Sequence, residues 1–85
     1  MKYNIVYTSR SIKDIDNLEK DIKKRLGRTL LRYEKDPLKY AGKLTNSNLG
    51  TYRFRIGDYR VIFDIIDTDI VVLRVGHRKD IYKKG

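Results

Sequence analysis

Eighty-five residues allow one small domain, taken here as residues 1–85, with no room for a second core. The chain has no cysteine and a single histidine, which excludes disulfide scaffolds and thiolate metal sites; neither a metal nor another cofactor is expected. Twenty Lys and Arg against eleven Asp and Glu leave a formal net charge of +9, an excess that attracts polyanions, with nucleic acid the first candidate. The same excess also serves solubility or an acidic protein partner, and it says nothing of chemistry.

The opening residues, MKYNIVYTSR, lack the apolar stretch and cleavage site of a signal peptide. The longest apolar runs, Val61 to Phe63 and Ile70 to Leu73, are too short to span a membrane, so a soluble, cytoplasmic protein with no membrane partner is expected. Residues 2–7 are short and rich in β-formers and predict a first strand. Thr8, Ser9 and Ser11 offer N-cap oxygens, and Ser11 with Asp14 resembles a capping box. Ile12, Ile15, Leu18, Ile22, Leu26, Leu30 and Tyr33 then recur at intervals of three or four, the stripe of an amphipathic helix. That stripe fits one long helix or a helical hairpin; a break is placed at Asp16-Asn17, with Glu19 after it. Gly27 inside it costs about 1 kcal/mol relative to alanine. Asp36-Pro37 stops the helix, because a residue before proline disfavours the α region.

Residues 37–50 read as a polar connection anchored in the core by Leu44, and the rest reads as β. In residues 51–56, Tyr52, Phe54 and Ile56 alternate with Arg53 and Arg55. Gly57-Asp58 signals a two-residue hairpin. Residues 59–66 return antiparallel with Tyr59, Val61, Phe63 and Ile65 on one face, Asp67-Thr68-Asp69 turns the chain, and residues 70–76 make the last strand. The tail is polar apart from Ile81 and Tyr82. A strand, helices and a three-stranded antiparallel meander predict an α+β fold, with the helical stripe covering one face of the sheet.

If Tyr52, Phe54, Tyr59, Val61, Phe63, Val71, Leu73 and Val75 face the helices, then Arg53, Arg55, Arg60 and Arg74 face away, with Arg78 in the same register if the strand persists past Gly76. Cross-strand neighbours lie about 5 Å apart, so such like charges repel unless an anion sits among them. Guanidinium forks match phosphate oxygens, which makes a phosphodiester the expected guest. The alternative is that each arginine pairs with a local carboxylate such as Asp64 or projects into water. RNA cleavage by its own 2′-hydroxyl needs a base, stabilisation of a charged phosphorane and an acid. Arginine supplies the second role but is too strong a base to lose its proton. His77 and Tyr82 are the neighbouring groups available to move one, though His77 also fits a structural role and Tyr82 a plug for the tail.

The stretch TYRFRIGDYRVIFDI followed by VLRVGHRKDIYKK resembles the RelE/ParE toxin superfamily, and the similarity runs over essentially the whole chain. The resemblance implies a compact toxin paired with a cognate antitoxin. In its RelE branch it implies a ribosome-dependent endoribonuclease that enters the ribosomal A site and cuts mRNA by metal-independent 2′-hydroxyl attack. By position, Arg60 and Arg78 match the phosphate-binding arginines and Tyr82 the C-terminal tyrosine of that branch. Arg53 and Arg55 stand where the best-known members carry lysines, a departure that hands an acid or base role to His77. Arg60, Arg78, His77 and Tyr82 are thus expected to be catalytic, and Arg53, Arg55, Arg74 and Lys79 to bind RNA. Two alternatives remain: a ParE-like DNA gyrase inhibitor without RNase activity, and a non-catalytic basic nucleic-acid-binding domain.

Overall fold

A computed structural model describes residues 2–45 and 48–82. Strand β1 (Asn4–Tyr7) leads into helices α1 (Ser9–Asp16) and α2 (Lys20–Tyr33), a four-residue turn of helix α3 (Pro37–Tyr40), and strands β2 (Ala41–Lys43), β3 (Tyr52–Ile56), β4 (Tyr59–Ile66) and β5 (Asp69–His77). The strands form one five-stranded sheet in the order β1-β5-β4-β3-β2, antiparallel except for the parallel pair β1 and β5. The α+β architecture is the one the sequence predicts, and the stripe breaks into two helices at the expected place, with Asn17 capping the end of α1.

The start of α1 is fixed by Thr8 rather than by the expected Ser11–Asp14 box. The Thr8 side-chain oxygen accepts the Ser11 N–H at 3.2 Å, and its hydroxyl donates to the Val72 carbonyl at 2.9 Å, tying the helix start to β5. Asp14 is occupied elsewhere. One side of the sheet presents Phe54, Ile56, Val61, Phe63, Ile70, Val72 and Val75 to Leu26 and Leu30 of α2, with Ile15, Leu18 and Ile22 packed against this cluster. Each such large side chain, taken fully out of water, stabilises the fold by about 1.5–3 kcal/mol. Phe54 and Phe63 stack with centroids 4.3 Å apart at its centre.

Three expectations require correction. Residues 37–50 are not simply a polar connection. Pro37 sits in the first turn of α3, where its missing N–H leaves no bond unmade, and β2 follows as an edge strand on β3. Leu44 is only half-buried and is held by its backbone, whose N–H donates to the Thr51 carbonyl at 2.8 Å; Asn46 and Ser47 lie outside the described residues. The side-chain parity of β5 also differs. A bulge opposite Ile62 and Phe63 pairs Ile62 with Arg74 but Phe63 with Val72, so Leu73 is the extra residue. Val72 and Ile70 therefore enter the core in place of the expected Leu73 and Val71, while Val75 stays inside.

Candidate nucleic-acid interface

The sheet face away from α2 is built from two cross-strand rows. Gly42, Arg53, Ile62 and Arg74 are register partners in one; Arg55, Arg60 and Gly76 are partners in the next. The expected shared face is therefore real at the level of register, but it is not bare. A Cβ added to Gly50 would lie 2.8 Å from Ile62 and 2.9 Å from Leu73, so the chain at Gly50 lies directly on this face. That loop is pinned by Asp64, whose Oδ1 accepts the Thr51 N–H at 2.6 Å, and Ile62 is fully buried although it lies on the face away from the helical core. At the other end the tail turns back after His77, and Ile81 is 4 % exposed against Gly76. The arginines occupy what these two covers leave open.

Arg53 lies half-buried across Gly42, with its Nε 3.6 Å from where a Cβ of that glycine would be, and its Nη1 donates to the Tyr82 hydroxyl at 3.4 Å. Its Nε–H is, among the described residues, a buried donor without a partner. Tyr82 itself is 42 % exposed, and with Lys43, Leu44, Thr45 and Arg53 it lines a shallow hollow at the β2 edge. Tyr82 thus lies on the side of the sheet that carries Arg53.

Arg55 and Arg60 stand directly opposite each other on β3 and β4. Arg55 is exposed; Arg60 is half-buried and folds back over the hairpin, where Nη1 donates to the carbonyls of Gly57 and Tyr59, both at 2.9 Å. The hairpin is the two-residue turn that Gly57-Asp58 predicts, with a positive φ of 61° at Gly57. Asp58 then fastens the tail: its carbonyl accepts the Arg78 N–H at 2.7 Å, and its Oδ1 lies 3.7 Å from Arg78 Nε. Arg55, Arg60 and Arg78 are in this way brought to one hairpin tip, with Asp58 as a solvent-exposed counter-charge. Two like charges directly across a ladder are unfavourable, and an anionic guest relieves that repulsion.

Two expected site residues stand apart. Arg74 shares the register of the face, but its Nε donates to Asp14 Oδ2 at 2.8 Å and its Nη2 reaches Oδ1 at 3.4 Å; the same Oδ2 accepts the Val75 N–H at 3.0 Å. Strand β1 stops opposite Val72, so β5 has a free edge beyond it, and Asp14 from α1 satisfies that edge. Arg74 is thus a structural ion-pair partner, the local-carboxylate alternative with Asp14 in place of Asp64. His77 pairs in register with Tyr59 on the core-facing side, its ring edge-on to that tyrosine at 5.4 Å, so it is not on the face of Arg55 and Arg60. Its Nδ1 accepts the Lys79 N–H at 3.1 Å, which leaves the proton of the neutral ring on Nε2. Lys79 is exposed on the turn that follows. Among the described residues no group of His, Cys, Asp or Glu is arranged to hold a metal.

Sequence reasoning missed Asp14 and Asp58 as anchors because carboxylates on a helix face and in a turn read as solvation and turn chemistry. The free edge of β5, which gives Asp14 its role, exists only after the strands are paired.

A mixed sheet capped by two helices, with guanidiniums gathered at a hairpin tip and a tyrosine against Arg53 at the β2 edge, defines a small basic protein with an arginine-lined sheet face. Residues 5–82 match the family model of the ParE toxin of the type II toxin–antitoxin system parDE. The chain belongs to the RelE/ParE toxin superfamily of type II toxin–antitoxin systems. It is 31 % identical to toxin RelG of Mycobacterium tuberculosis, over 99 % of this chain and 100 % of that protein. Its fold superposes on the toxin–antitoxin complex RelBE2 of the same organism with a TM-score of 0.83 and 28 % identity, covering 92 % of this chain and 100 % of the matched one. An archaeal RelE–RelB complex from Pyrococcus horikoshii gives 0.74 and 28 %, covering 94 % and 99 %.

Proposed function

We propose that this toxin is an endoribonuclease that cuts mRNA in the ribosomal A site by 2′-hydroxyl attack. The observation that carries the reading is the convergence of Arg55, Arg60 and Arg78 on the Gly57-Asp58 turn, with Arg53 in the adjacent cross-strand row and Tyr82 against it at the β2 edge. Arg60 and Arg78 hold the scissile phosphate and stabilise the charge that grows on its oxygens as the phosphorane forms; held in place beforehand, such donors are worth several kcal/mol. Arg60 is suited to this because its two carbonyl bonds fix the guanidinium before any substrate arrives. Arg53 holds the Tyr82 hydroxyl, which orients the nucleotide next to the cut. Neither Arg60 nor Arg78 serves as general base. The 2′-hydroxyl attacks phosphorus as its proton passes to solvent water, and the bond to the 5′-oxygen breaks. The Tyr82 hydroxyl, the protic group beside Arg53 among the described residues, protonates that leaving oxygen and regains its proton from water, leaving a cyclic phosphate.

A cognate antitoxin is the second partner. Tyr7, Ile12, Ile15, Leu26, Gly27 and Leu30 line an apolar cleft of about 240 Å³ between the helices, and Ile12 is 48 % exposed at its rim. An acidic amphipathic helix suits both the cleft and the net charge of +9. The two matched complexes are toxin–antitoxin pairs of this fold.

The match to the ParE model favours a second reading, inhibition of DNA gyrase without RNA cleavage. Pulse labelling after induction separates the two. The RNase stops amino-acid incorporation within minutes while thymidine incorporation continues; a gyrase inhibitor reverses that order, and reversal would retire the RNase reading.

A further inference from the structure

The hairpin tip that carries Arg60 and Arg78 is touched from the other layer as well. A Cβ on Gly57 would lie 2.8 Å from both terminal nitrogens of Arg25 and 3.0 Å from its Cζ, so the Arg25 guanidinium occupies the place a side chain would take. Glycine at this position therefore meets two needs: the positive φ of the turn, and room for an arginine arriving from α2. Among the described residues Arg25 makes no ion pair. Asp21, one turn earlier, lines the same surface hollow together with Lys24 and Arg28 without neutralising it. A guanidinium held against the Gly57-Asp58 turn with no ion pair of its own among the described residues, near Arg60, which bonds only carbonyls there, and Arg78, whose partner is the exposed Asp58, is arranged for an anion.

We propose that Arg25 is a phosphate-binding residue of the toxin, extending the RNA track from the sheet face around the Gly57-Asp58 turn onto α2, where Lys24 and Arg28 continue it. The ligand is a phosphodiester of RNA, and the inference rests on the RNase reading above. That phosphodiester belongs either to the mRNA or to the ribosomal RNA surrounding it; the chemistry of the contact is the same. Arg25 is exposed, so its removal leaves the core intact.

The test measures binding of the full-length toxin to ribosomes programmed with an mRNA whose A-site codon is 2′-O-methylated, which prevents cutting, and to ribosomes without mRNA. Wild type, Arg25→Ala, Arg25→Lys and the charge-matched control Lys20→Ala are titrated across a salt series, with thermal melts to confirm folding. The expected result for Arg25→Ala is binding weaker by about tenfold and a salt slope shallower by about one unit. Arg25→Lys recovers part of the loss, and Lys20→Ala stays within about twofold, since an unsited exposed charge contributes little. A deficit seen only with mRNA assigns the phosphate to mRNA, and an equal deficit without it assigns ribosomal RNA. Arg25→Ala binding within twofold of wild type, or an equal loss in Lys20→Ala, overturns the proposal and leaves the RNase reading standing. Wild type that binds no ribosomes overturns both.

Discussion

At the scale of single residues, the four arginines in the outer rows, and Arg78 on the turn after β5 where the expected register ends, separate into two kinds once their partners are named. Arg74 is claimed by Asp14, whose side chain is only 14 % exposed and which also accepts the Val75 N–H. Removing that carboxylate strands a charge and a backbone donor together, at a cost of about 1–3 kcal/mol. Thermal melts of Asp14→Ala are accordingly expected to fall by roughly 4–24 °C, using about 4–8 °C per kcal/mol for a domain of this size. Arg74→Ala is expected to fall by less, because Val75 keeps its acceptor. If Asp14→Ala melts with the wild type, the edge-capping role is wrong. His77 gives a second test. Its ring lies against Tyr59 on the core-facing side, so His77→Ala is expected to change mRNA cleavage by less than about threefold, well short of the roughly hundredfold that loss of a proton-transfer group brings. A loss that large would return His77 to the chemistry.

At the scale of elements, the structure shows which local signals sufficed. The helical stripe, its break at Asp16-Asn17 and the Gly57-Asp58 hairpin were legible because each rests on near neighbours in sequence: three- and four-residue spacing, a turn residue, a glycine that admits positive φ. The alternation of β3 and β4 was equally plain, and with it the rows that hold Arg53, Arg55 and Arg60. What strict alternation does not carry is the bulge at Leu73, which reverses parity halfway along β5 and moves Val72 inward. Nor does it carry the covers on the outer face, since Gly50 meets Ile62 only once β3 and β4 are paired, and Ile81 meets Gly76 only because the chain turns back after β5. Strand β2 has only three residues, two of them Ala and Gly, and offers no β signal of its own. Gly27 is the element-scale test. It sits inside α2 beside the apolar cleft, and nothing lies within 4 Å of a Cβ placed there. Gly27→Ala is therefore expected to stabilise the free toxin by about 1 kcal/mol through helix propensity alone, read as a melting point higher by about 4–8 °C. A lower melting point would mean that α2 packs more closely there than this geometry allows.

At the scale of the whole molecule, the sheet divides the protein into two working surfaces. The helix side is a core with an apolar cleft between α1 and α2, suited to a protein partner. The outer side and the hairpin tip collect guanidiniums that few carboxylates neutralise, suited to RNA. In the proposed function the net charge of +9 would draw the toxin to ribosomal RNA at long range, and the placed arginines would decide where it works. The central claim is that Arg60 and Arg78 stabilise a phosphorane in ribosome-bound mRNA. Mapping the 5′ ends of an mRNA incubated with translating ribosomes and either wild type or the Arg60→Ala/Arg78→Ala double variant tests it directly. The expected result is new ends at the A-site codon with wild type, reduced by at least about a hundredfold in the variant, with the variant still folded and still bound to ribosomes. Cuts of equal yield in the variant, or no cuts by a wild-type protein that still arrests growth, would contradict it.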